Sequence, residues 1–130
     1  MSTPMATLGL VVLGSCAVLL LFVVGVTRDR ARSRSAQRAE LLLAELLTSA
    51  ELAELDARGF LEVPSRAHPG RRYRVPACPG WVAVVQDGQP FAWLCLRSRR
   101  ALPARELVLV HKLMIEADEE AYWRLANRVS

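Results

Sequence analysis

Hydropathy changes twice along the chain. Residues 5–26, MATLGLVVLGSCAVLLLFVVGV, are an apolar run without a charged side chain. Residues 27–38, TRDRARSRSAQR, reverse it with Arg28, Arg30, Arg32, Arg34 and Arg38 against Asp29 alone. From Ala39 onward the apolar positions recur with periods that identify elements. Leu42, Leu43, Leu46 and Leu47 cluster on one helical face. Thr48 to Glu51 has the form of a capping box, with the Thr48 hydroxyl accepting from the Glu51 amide and the Glu51 side chain reaching back. A second short helix is therefore predicted up to Arg58, with Gly59 ending it in a left-handed conformation.

Beyond Gly59 the period falls to two. FLEV (60–63), RRYRVP (71–76) and the two runs WVAVVQ and QPFAWLCLR predict about four short strands in an antiparallel meander. Asp87 and Gly88 supply the two positions that tolerate positive φ in a tight hairpin turn. Pro90 has no amide proton to donate, which puts it at a strand end or sheet edge. A sheet of this kind must bury one face. The last thirty residues offer the cover, with Pro103 in a first helical turn and an apolar stripe of Leu107, Val110, Met114, Ala117 and Ala121, widened by Leu113 and Leu125. Lys112, Glu116, Glu119 and Glu120 occupy the opposite side, and Asp118 can cap a second helix if the first one stops there.

These patterns predict an α+β fold with a single N-terminal transmembrane helix. At about 1.5 Å per residue, the run 5–26 matches the roughly 30 Å hydrocarbon thickness of a bilayer. The expected organisation is a transmembrane anchor over 1–27, an Arg-rich juxtamembrane linker over 28–38 and a small soluble domain over 39–130. That domain would hold a leading helix or helix pair, the meander and a C-terminal amphipathic helix. A cleaved signal peptide would carry its basic residues before the apolar run, not after it. Basic residues near a membrane end stay on the cytoplasmic side, so Arg28, Arg30, Arg32, Arg34 and Arg38 predict an outside N-terminus and a cytoplasmic domain at an inner (plasma) membrane, with anionic lipid headgroups as partners.

Charge then narrows the choice of partner. The net charge is +4 at pH 7, yet residues 39–130 carry twelve basic and twelve acidic side chains. The excess lies wholly in the arginine segment. A duplex-binding domain concentrates positive charge on its own surface, because phosphate neutralisation supplies most of the affinity. One lysine against sixteen arginines, with abundant Ala and Leu, is the usage expected of a GC-rich bacterial genome.

No residue set points to a cofactor, a metal or catalysis. Cys16 falls in the apolar run, and Cys78 and Cys95 show no paired spacing, so free thiols are expected. His68, Cys78, Cys95 and His111 have zinc-ligand chemistry but separations unlike a compact zinc site. His111 and Glu116 lie about 140° apart around a helix and share no face. Glycine-rich phosphate loops and nucleophile elbows are missing. Trp123 lies off the apolar stripe and, with Tyr122 and Trp93, is the candidate contact for a protein partner, since aromatic residues dominate interface energies. The expected function is a membrane-anchored, non-enzymatic interaction module, an accessory subunit or adaptor of a bacterial inner-membrane complex with a membrane-protein partner.

One stretch suggests an alternative. LTSAELAELDARGFLEVPSRAHPGRRYRVP resembles the last helix and wing of winged-helix domains, in which a helix precedes a hairpin with a basic, glycine-containing tip. The resemblance covers some thirty residues and implies a membrane-tethered nucleic-acid-binding regulator. The sequence departs from that pattern in its acidic candidate recognition helix, with Glu51, Glu54 and Asp56, and in the tryptophan-bearing hairpin and terminal helix that follow.

Overall fold

The structure, a computed structural model, describes the backbone of residues 4–129 and the side chains of residues 14–129. Its elements are α1 (Pro4–Leu46), α2 (Ser49–Arg58), β1 (Phe60–Pro64), β2 (Arg71–Pro76), β3 (Val82–Gln86), β4 (Gln89–Cys95), α3 (Ala104–Ala117), α4 (Glu119–Leu125) and β5 (Asn127–Val129). The chain divides into two compact units, residues 1–35 and 36–130.

The expected transmembrane anchor is corrected. Among the described residues no helix is long and apolar enough to cross a membrane. Part of the expected span, residues 5–13, lies outside the described side chains. Past the apolar run, α1 continues without a break through the arginines to Leu46, and arginine is costly in hydrocarbon. The arginine segment 28–38 is helical.

In the second unit the local signals act as the residues dictate. Thr48 caps α2, accepting from the Glu51 amide at 3.2 Å while Glu51 accepts from the Thr48 amide at 2.8 Å, and Gly59 ends the helix at φ 74°. The strands form one antiparallel sheet in the order β1-β2-β3-β4-β5. Asp87 (φ 51°) and Gly88 (φ 80°) turn β3 into β4. The sheet has one strand more than the meander expected, because the last residues return to pair with β4, Trp93 opposite Val129.

Alternation along the strands sends Leu61, Val63, Tyr73, Val75, Val82, Val84, Ala92 and Leu94 to one face, where they meet Leu43, Leu47, Leu55, Val108, Leu109, Ile115 and Tyr122 from the helices. This helix-on-sheet layer is the core, and α3 lies across β1 and β2. Its buried face is not the expected one. Val108, Leu109, His111 and Ile115 are buried, while Leu107, Val110 and Met114 line an open apolar groove. The terminal helix also breaks, because the Asp118 side chain accepts from the Ala121 amide at 2.9 Å and starts α4.

Ion pairs tie the helices together at their polar edges. Arg105 of α3 lies 2.6 Å from Glu40 of α1 and 3.0 Å from Asp56 of α2. Lys112 joins Glu116, one turn along α3, at 2.6 Å to Glu51 of α2 at 3.4 Å.

Candidate interaction surface

Two clusters of polar and aromatic side chains stand out, one buried and one open. The buried cluster fastens α4 to the sheet. The Tyr73 hydroxyl donates to Glu119 and accepts from the Trp123 indole N–H at 2.7 Å. Ser65 donates to the other Glu119 oxygen at 2.6 Å, and Arg71 lies 3.7 Å from the same carboxylate. Burial works against the Glu119 charge, but the hydrogen bonds from Ser65 and Tyr73 prevail and hold its pKa below the usual value. Burial, followed by the bond to Glu119, pushes the Tyr73 phenol up to about 12.

Tyr122 packs edge-on against Tyr73, and its hydroxyl shares a 2.8 Å hydrogen bond with Nδ1 of His111. Burial lowers the His111 pKa to about 4, so the imidazole is neutral at pH 7. Glu119 is committed to three partners and His111 to one, and the two belong to separate hydrogen-bonded groups. This arrangement locks α3, α4 and β2 in register. The acidic cluster of the terminal helix therefore splits by role: Glu119 enters the buried network, Asp118 caps α4, Glu116 pairs with Lys112, and Glu120 pairs at the surface with Arg124 at 3.1 Å.

The residues expected at a partner interface part company here. Tyr122 is fully buried and presents nothing to a partner. Trp123 is half-buried, bonded to Tyr73 and edge-on to Phe91, with the Arg71 guanidinium 5.4 Å from its ring centre. Trp93 alone of the three is open, at 47 % exposure. Arg28, Arg30, Arg32, Arg34 and Arg38 are exposed along α1. Thr48, Glu51, Gly59, Asp87 and Gly88 sit at the caps and the turn described above. Cys16, Cys78 and Cys95 are free thiols. Among the described residues no three His, Cys, Asp or Glu side chains gather as a metal site.

The open cluster lies on the uncovered face of the sheet. Strand register places Glu62, Arg74, Ala83, Trp93 and Val129 in one row across all five strands. Glu62 takes both Arg72, at 2.7 Å, and Arg74, at 3.3 Å, and Arg58 and Arg74 flank the Phe60 ring. At the other end of the row Trp93 and Val129 join Trp81, 45 % exposed, around a cleft of about 290 Å³. Composition singled out Trp93 but not its neighbours, because Trp81 precedes β3 and Val129 belongs to a three-residue strand.

Charge divides with the layers. From Ala39 on, the helices and the Asp118 cap hold ten acidic residues (Glu40, Glu45, Glu51, Glu54, Asp56, Glu106, Glu116, Asp118, Glu119, Glu120) and four basic ones. The strands and their connections hold eight basic residues, namely Arg66, Arg71, Arg72, Arg74, Arg97, Arg99, Arg100 and Arg128, against Glu62 and Asp87. The balance of twelve against twelve is therefore minus six in the helices and plus six in the sheet layer.

No family model, no curated protein and no solved structure matches this chain.

Proposed function

We propose that this protein is a non-enzymatic interaction module held at the inner face of a bacterial-type membrane, as an accessory subunit or adaptor of a membrane complex. The observation that carries the reading is the apolar groove beside α3. Leu96, Leu102, Leu107, Val110, Met114 and Leu125 line it, with Arg97 and Ser98 at its edge, and the helix pattern devotes a second apolar stripe to it although the first stripe already covers the sheet. Leu125 is 65 % exposed at its rim. A small domain has little reason to leave so much aliphatic surface in water unless a partner covers it.

Attachment at the membrane surface rests on Arg28, Arg30, Arg32, Arg34 and Arg38, which are exposed along α1 and suit an anionic leaflet.

Purification from native membranes in mild detergent tests the reading. A stoichiometric membrane protein is expected to co-purify with the wild-type chain. Leu125→Glu is expected to lower its retention by about 1–3 kcal/mol of binding free energy, as truncating an interface anchor does, with unchanged thermal unfolding. A chain recovered alone, or a partner retained equally by the variant, defeats the proposal. The alternative, a membrane-tethered nucleic-acid-binding regulator, draws its support from the positive sheet layer. It predicts oligonucleotide affinity that falls steeply with salt, whereas an interaction module ignores DNA.

A further inference from the structure

The cleft formed by Trp81, Trp93 and Val129 has a basic neighbour. Val82 pairs with Leu94, so the chain enters β3 and leaves β4 at the same end of the sheet. Trp81 immediately precedes β3, and Arg97, Arg99 and Arg100 follow within a few residues of Cys95, in an exposed segment whose first arginine also borders the α3 groove. Among the described residues none of these three arginines has a carboxylate within ion-pair distance, whereas Arg58, Arg72 and Arg74 share Glu62. This corner thus joins two half-exposed indoles and an exposed valine to three uncompensated positive charges.

We infer that this corner is a second membrane contact, resting on an anionic phospholipid surface with Trp81 and Trp93 at headgroup depth and Arg97, Arg99 and Arg100 against the phosphates. The inference deepens the membrane reading above and rests on it. Two properties favour a lipid surface over a nucleic-acid strand. A strand needs a track of free cations along its path, but across this face Arg72 and Arg74 are committed to Glu62 and the free charge is confined to one end. A flat anionic surface needs only a corner. Indole rings also have the amphipathic form that settles at the membrane interface, and arginines near an anionic leaflet are each attracted by its surface potential. The cleft is lined by Val129 as well as the indoles, which suits acyl chain and glycerol contact better than base stacking alone.

Tryptophan quenching by brominated lipid tests this on the full-length chain, with vesicles of equal parts phosphatidylcholine and phosphatidylglycerol against vesicles of phosphatidylcholine alone. Trp81, Trp93 and Trp123 are the three tryptophans. Emission is expected to be quenched on the anionic vesicles, with the quenching lost in the W81F/W93F variant, which retains Trp123, and reduced severalfold in R97Q/R99Q/R100Q. Thermal unfolding of each variant establishes that it is folded. A chain that floats with the vesicles while Trp81 and Trp93 stay unquenched overturns the corner contact and leaves membrane attachment standing. A chain that does not float with either vesicle overturns attachment itself. Quenching that survives the arginine replacements, or that appears with a thymidine oligonucleotide and not with lipid, also overturns the inference, the last result in favour of a single-strand site.

Discussion

A methyl group added at position 70 would collide with a carboxylate oxygen of Asp87, and Gly70 already sits at φ +78°. The Asp87 amide donates to the Gly70 carbonyl at 2.9 Å, so the β1–β2 loop and the β3–β4 turn interlock. Gly70→Ala is therefore expected to cost about 1–3 kcal/mol through backbone strain and displacement of that turn, read as a lower urea midpoint. The demands on Asp87 and Gly88 were legible because a two-residue turn is a local matter. The demand on Gly70 was not, since it comes from a residue seventeen positions away. His111 carries a second residue-scale consequence. Its folded pKa of about 4 lies below the ordinary 6.5 because burial disfavours the imidazolium. Between those values the unfolded chain binds the extra proton, so the stability is complete above pH 6.5 and is lost as pH falls towards 4. The loss is expected to be on the order of 3 kcal/mol, and Glu119, also held below its ordinary value, extends it to lower pH. Urea midpoints measured from pH 7 to pH 4 should fall for the wild type and fall less steeply for His111→Gln.

Among the elements, α4 depends most on contacts made far along the chain. Its cap is local, and Asp118→Ala should cost about 1 kcal/mol. Its seat is not, because Glu119 reaches Ser65 and Tyr73, and Trp123 reaches Tyr73. Glu119→Gln keeps the side-chain shape but removes the charge that gathers Tyr73, Ser65 and Arg71. Amide exchange in α4 and β5 is then expected to accelerate by more than that in α2, measured by mass spectrometry; equal protection in the variant would show the charge to be dispensable. The helices, caps and first four strands could be read from periodicity and turn residues, but three matters could not. In α3, residues 107, 110 and 114 and residues 108, 111 and 115 recur at the same spacing, so hydropathy alone does not say which set meets the sheet. β5 is only three residues long and exists by pairing with β4. The apolar run 5–26 satisfied the length rule for a membrane helix as a string of letters. In the structure the run continues into the arginines within one helix, and among the described residues no helix is long and apolar enough to cross a membrane.

At the scale of the molecule, the core residues all lie within 36–130. A chain of those residues alone is expected to unfold in one cooperative transition, at the temperature at which the same region unfolds in the full-length protein; calorimetry compares the two. The candidate surface was legible only in its ingredients, since the tryptophans and arginines are visible in the sequence while the row that joins them requires the register of five strands.

The separation of charge between helices and sheet has a consequence for approach as well as for contact. A domain with no net charge feels little pull from a distant uniform field, but one whose positive and negative ends are set apart feels a torque. Near an anionic leaflet, within about 8–10 Å at physiological salt, it should turn its strands inward and its acidic helices outward before any side chain touches lipid. Those outward helices carry Leu107, Val110, Met114 and Leu125, so the orientation that the surface imposes would also turn the helix side of the groove towards whatever diffuses past.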